Sequence, residues 1–155
     1  MNKIQIIKKL NWFYTLEKNQ VDLYTAQSQN IDDIYIKKTL KRVALIEQKH
    51  VENIADQIKS LGGQPTVIGD IIGPLMGKIA GKITGKTKTT TLLKVDATLE
   101  KKAMHDYKLF ISSIKGKNTL SELLWANLID EDLHTAWFAN KITELENIET
   151  RNLNF

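Results

Sequence analysis

The chain has 155 residues, 42% of them hydrophobic and 26% charged, with a formal net charge of +4. Those proportions fit one ordinary globular domain over residues 1–155 rather than a disordered or membrane-spanning chain, and the positive excess is too small for a nucleic-acid binder. With no cysteine, disulfides, iron–sulfur clusters, cysteine-type zinc sites and thiol chemistry are excluded.

Residues 1–20 interleave lysine with apolar side chains and show neither a clean apolar stretch nor a small-residue cleavage site, so no targeting segment is expected. The expected location is cytoplasmic. Four segments carry helical periodicity. The first runs to about Gln29, with Leu10, Phe13, Val21 and Tyr24 on one stripe. Asp32 is the expected cap of the second, whose stripe is Ile36, Leu40, Val43, Val51 and Ile54 and which stops at Gly62-Gly63. The third starts near Thr90, carries Leu93, Ala103, Tyr107, Phe110 and Ile114, and stops at Gly116. Asn118 or Thr119 caps the fourth, with Leu124, Phe138, Ile142 and Leu145 on its stripe.

Short links join helix one to two and helix three to four, which makes each pair an antiparallel hairpin. Residues 62–87 lie between the hairpins. A helix of about 28 residues is about 42 Å long, and a connection returning along it needs a segment of that size. The reading is an all-α, ferritin-like four-helix bundle with a long crossover between helices two and three. In the crossover Gly69, Gly73, Gly77, Gly81 and Gly85 recur every four residues, with Ile72, Leu75, Met76, Ile79 and Ile83 between them and Lys78, Lys82 and Lys86 alongside. Pro74 fits the first turn of a helix. Such a segment can pack closely on a helix of its own bundle or of a homodimer, or lie on an anionic membrane surface.

An internal repeat runs through the chain. Residues 16–24, LEKNQVDLY, align with residues 99–107, LEKKAMHDY, and Glu47-x-x-His50 aligns with Glu131-x-x-His134 at an offset of 84. A site between the two halves should therefore have pseudo-two-fold symmetry.

Six titratable residues fall on the core stripes: Glu17, Glu47, His50, Glu100, Glu131 and His134. Residues i and i+3 share a helix face, so each Glu-His pair presents an oxygen and a nitrogen inward. Four buried carboxylates cannot coexist uncompensated, since each loses several kcal/mol of solvation or takes up a proton. Two divalent cations would balance four carboxylates and two neutral imidazoles. One Glu from each of two helices with Glu-x-x-His from each of the others is the carboxylate-bridged dimetal pattern. Oxygen with imidazole suits iron or manganese, and the affinity order leaves zinc open. The alternative is a metal-free bundle with a buried polar network. His105 lacks the spacing and reads as a surface histidine. Asp130 is placed to accept from a ligand imidazole or to sit on the helix surface. Tyr24 and Tyr107 read first as core aromatics and second as polar groups near the site, and Trp12, Trp125 and Trp137 as packing.

This ligand order resembles the ferritin-like diiron carboxylate proteins. The steps of 30 residues from Glu17 to Glu47 and 53 from Glu47 to Glu100 are most similar to demethoxyubiquinone hydroxylase. That family commonly has an acid just before the helix-two ligand glutamate, where this chain has Ile46, and His-Tyr where this chain has Asp106-Tyr107. The resemblance implies two iron ions bridged by Glu47 and Glu131, with Glu17 and Glu100 terminal and one histidine on each iron. It implies an O₂-activating oxidoreductase, of the quinone-type hydroxylase (monooxygenase) kind, acting on a small or lipid-like organic substrate with an external electron donor, peripheral on the inner face of the membrane. The alternatives are a rubrerythrin-like peroxidase or oxygen scavenger, an iron-binding or storage ferritin-like protein, and a metal-free helical adaptor.

Overall fold

Side-chain capping sets where three of the four helices begin. In the computed structural model, which describes residues 1–73, 88–114, 116 and 118–152, the four are α1 (Lys3–Asn30), α2 (Ile34–Ser60), α3 (Thr89–Ser113) and α4 (Thr119–Asn152). No strand occurs among the described residues. At the start of α1 the Gln5 N–H donates to the Asn2 side chain while the Asn2 N–H donates to the Gln5 side chain, a reciprocal capping box. Asn118 and Ser121 make the same exchange ahead of α4.

The cap of α2 is Asp33, which accepts from the Ile36 N–H at 2.9 Å, and not the expected Asp32. Ile31 is buried in the core, so the chain leaving α1 stays extended long enough to seat that side chain, and the cap falls one residue later. At the other end of α2 the Gly62 N–H donates to Lys59 C=O and the Gly63 N–H to Ile58 C=O, a Schellman closure. It requires the positive φ of Gly62, +70°.

The bundle is two hairpins, α1 against α2 and α3 against α4, with α2 also meeting α4. Its apolar interior is split in two. One cluster includes Leu10, Phe13, Ile54, Ile58, Tyr107, Phe110 and Leu124. The other includes Tyr24, Ile36, Leu40, Val43, Leu93 and Phe138. Val21, Ile114, Ile142 and Leu145, expected on the core stripes, are only half-buried. Ile114 lies at the end of α3 and Ile142 and Leu145 toward the end of α4, where fewer neighbours cover them, and on α1 Glu17 and Gln20 hold core-facing positions. Trp125, expected to pack, is 49% exposed and shares the outer face of α4 with exposed Ile129 and Leu133.

The start of the crossover is laced to α1. Backbone N–H groups of Thr66, Ile68 and Ile71 donate to Asn11 Oδ1 at 2.7 Å, Thr15 Oγ1 at 3.1 Å and Asn19 Oδ1 at 2.9 Å. The three acceptors recur every four residues, one per turn, so they form a row along the helix. Ile72 then enters the core. The expected membrane or helix contacts of Gly77, Gly81, Gly85 and the lysines among them lie outside the described residues, as does Pro74. No described helix is long and apolar enough to cross a membrane.

Phe110 is fully buried and stacks on Phe13 at 5.7 Å. Phe110→Ala is expected to cost about 3–5 kcal/mol in denaturant unfolding. Asn11→Ala and Asn19→Ala should leave the midpoint nearly unchanged and instead speed amide exchange at Thr66 and Ile71.

Candidate metal centre

Between the two apolar clusters all six titratable stripe residues meet. Glu17, Glu47, Glu100 and Glu131 are fully buried and His50 and His134 nearly so. His50 Nδ1 lies 3.0 Å from Glu47 Oε2, 3.5 Å from Glu131 Oε1 and 3.9 Å from Glu17 Oε2. His134 Nδ1 lies 3.0 Å from Glu47 Oε1 and 3.6 Å from Glu100 Oε2. Two overlapping groups result, Glu17/Glu47/His50/Glu131 and Glu47/Glu100/Glu131/His134, each with its ligand atoms within 4.8 Å of one another. Glu47 and Glu131 are common to both, the position a bridging carboxylate must occupy.

The inward atoms are orphans. Among the described residues Glu17 Oε2, both oxygens of Glu47 and Glu131, Glu100 Oε2 and both Nδ1 atoms are buried with no hydrogen-bond partner of acceptable geometry. Buried polar atoms in a folded protein are almost always paired, so a concentration of acceptors facing one another fits a pair of cations. Without cations the layer would be balanced by protons instead. Burial and then the Glu47 charge push Glu17 up to about 7, and burial with the Glu47, Glu100 and Glu17 charges pushes Glu131 well up. Burial acts on Glu47 in the same sense, but the His134 and His50 imidazoles outweigh it and bring that carboxyl down to about 2. Burial opposes charge on the imidazoles too; the surrounding carboxylates win, raising His134 to about 10 and His50 well above its usual value.

The outward atoms, by contrast, are mostly held. The Tyr24 hydroxyl donates to Glu100 Oε1 and the Tyr107 hydroxyl to Glu17 Oε1, so each tyrosine leaves the other oxygen of its glutamate facing inward. Both tyrosines are core aromatics and site neighbours at once. His50 Nε2 meets Asp130 Oδ2 at 3.1 Å, so Asp130 serves a histidine of the centre while remaining partly exposed. His105 is exposed and apart from the site.

Sequence reasoning missed four further polar residues. Gln20 donates to Glu100 Oε1 at 3.3 Å and Asn127 to the Tyr107 hydroxyl at 3.0 Å. Gln27 donates to Asp96 Oδ1 at 2.8 Å, both being buried, and burial drives the Asp96 carboxyl well above its usual range. A signal existed: Gln20 and Gln27 share the Glu17–Tyr24 face, and Asp96 and Asn127 stand one turn before Glu100 and Glu131. The offset of 83 that aligns Glu17 with Glu100 also aligns Phe13 with Asp96 and Gln27 with Phe110. One pair of repeat positions is thus a stacked phenylalanine pair at one end of the bundle and an amide–carboxyl pair at the other.

No family model matches the chain. It is 24% identical over 151 residues to bacterioferritin from Desulfovibrio desulfuricans, a match covering 94% of this chain and 79% of that protein. The crystal structure of the D. desulfuricans bacterioferritin, with its diiron site reduced in solution and allowed to reoxidise before crystallisation, superposes with a TM-score of 0.80 at 24% identity, over 98% of this chain and 86% of that one. A dodecameric thioferritin, the bacterioferritin-related protein from Bacteroides fragilis, gives 0.79 at 18% identity, over 97% and 92%. The chain therefore has the ferritin-like fold, two antiparallel helical hairpins joined by a long crossover.

Proposed function

We propose that the buried layer binds two iron ions and that the chain is an iron-handling, ferritin-like protein whose centre oxidises ferrous iron with O₂. The observation that carries this reading is the convergence of eight orphaned carboxylate and imidazole atoms into two overlapping four-residue groups. Support also comes from the likeness along nearly the whole chain to a bacterioferritin with a diiron site. The same likeness favours iron handling over the quinone-type hydroxylation implied by the resemblance to demethoxyubiquinone hydroxylase.

Glu47 and Glu131 would bridge the two positions, Glu17 and Glu100 would be terminal ligands, and His50 and His134 would bind through Nδ1. Bound iron supplies the electron exchange with O₂. The chain's own residues do the rest. Tyr24 and Tyr107 fix the glutamates they donate to, Asp130 orients His50, and the apolar clusters on either side keep bulk water from the layer. Four carboxylates and two neutral imidazoles leave two ferrous ions near electroneutrality, which lowers the cost of holding either charge in the interior.

Reconstituted protein is expected to hold two irons per chain and to consume O₂ when supplied with ferrous iron; Glu47→Ala and Glu131→Ala should each lose both irons, and retention of two by either variant refutes the assignment. Storage demands a closed shell of many copies, and a protein of the same fold is dodecameric, so size-exclusion chromatography should give a large discrete assembly, and a monomer or dimer would exclude storage. The metal-free chain should lose stability as pH rises. Glu17 goes from 4.5 to about 7 on folding and His134 from 6.5 to about 10, so the fold binds protons that the unfolded chain releases. Those contributions are complete below the unfolded values, and thermal melting should show them fading as pH passes about 7 and then about 10. Metal loading must displace the same protons, so binding at pH 7 should release protons and weaken as pH falls.

A further inference from the structure

The internal repeat makes the two cation positions look equivalent, and they draw on the same kinds of inward ligand. Each has one terminal glutamate, the two shared glutamates and one Nδ1; both Nδ1 atoms lie 3.0 Å from Glu47, and that of His50 also comes within 3.5 Å of Glu131. The difference lies behind the imidazoles. With Nδ1 turned to the centre, the ring proton sits on Nε2. On His50 that N–H meets Asp130 Oδ2 at 3.1 Å. On His134 the Nε2 atom is buried and, among the described residues, has no partner.

Repeat register explains the gap. Asp130 stands one residue before Glu131, on α4, and reaches across to the histidine of α2. The corresponding place on α2, one residue before Glu47, should reach across to the histidine of α4, and it holds Ile46. An isoleucine has no acceptor to offer. A carboxylate on the far nitrogen fixes the ring's tautomer and orientation and makes the near nitrogen a stronger donor, an effect commonly worth roughly 10–100-fold in metal affinity.

We infer that the two positions are unequal. The one at His50, backed by Asp130, fills first and holds its cation more tightly, and the one at His134 is the weaker, exchangeable position, with Ile46 setting the difference. This rests on the dimetal reading above and adds to it a division of labour. In an iron-handling centre the exchangeable position is where ferrous substrate enters and leaves.

Anaerobic titration of the metal-free full chain with Co²⁺, followed by calorimetry and visible absorption, tests this without any turnover. Two binding steps are expected, separated by roughly 10–100-fold. His134→Ala should remove the weaker step and His50→Ala the tighter one. Asp130→Ala should bring the tighter step down toward the weaker. Ile46→Asp should tighten only the weaker step; Ile46 is half-buried, a place where an added carboxylate keeps some water. Two equal steps in the unaltered chain would overturn the inequivalence alone. So would a weaker step that Ile46→Asp leaves unmoved while Asp130→Ala leaves the tighter one unmoved, or an order of loss opposite to that given for the histidine variants. Binding of fewer than two cobalt ions would instead overturn the dimetal reading itself, and the inequivalence with it.

Discussion

Four carboxylates and two imidazoles are packed into one water-poor layer, and the charge in that layer must be compensated. Everything around the centre answers to this constraint. The apolar clusters above and below exclude water, which strengthens every electrostatic interaction between them and makes an uncompensated charge costly. Without cations protons would do the balancing: burial raises Glu17 and Glu131, the surrounding carboxylates raise both histidines, and Glu47, between two imidazoles, is lowered. The tyrosines contribute in another way. By donating to the outer oxygen of Glu17 or Glu100 they satisfy half of each carboxylate and leave the other half facing inward.

The duplicated hairpin sets up a symmetric centre, and individual substitutions then break the symmetry. At one end of the bundle Phe13 stacks on Tyr107 at 4.2 Å and on Phe110 at 5.7 Å. At the opposite end the corresponding places hold Asp96 and Gln27, joined by a buried hydrogen bond. Gln20 adds a donor to Glu100, where the repeat places Ala103 on the Glu17 side. Asn127 braces Tyr107, where the repeat places Val43. The Glu100 side therefore adjoins Gln20 and the Gln27–Asp96 pair, and the Glu17 side adjoins the Phe13 stack, with Asn127 behind Tyr107.

The crossover has a structural task before any other. A chain leaving α2 must return along the bundle, and an exposed extended segment would spend its backbone donors on water. Asn11, Thr15 and Asn19 take up three of those donors at one-turn intervals, and Thr15, buried beneath the segment, also donates back to Asn11 C=O at 2.8 Å. This row guides the strap until Ile72 enters the core between the hairpins.

Helix number, hairpin pairing and the identity of the six centre residues were legible in the sequence, because each depends on spacing along one helix. A glutamate on a stripe of leucines, or Glu and His three apart, states which face it shares whatever lies opposite. The repeat carried that information across the hairpins. Residues whose meaning comes from a partner on another helix were not legible. Gln20, Gln27, Asp96 and Asn127 are ordinary polar residues until α1, α3 and α4 bring each against its acceptor or donor, and Asp130 could be read as surface or support until His50 stood across from it. Asp33 takes the cap from Asp32 for the same reason, since the burial of Ile31 is decided by the packed core. Periodicity reports a side chain's direction from its own helix axis; which atom it meets, and whether its second nitrogen or oxygen finds a partner, is settled only when the helices pack.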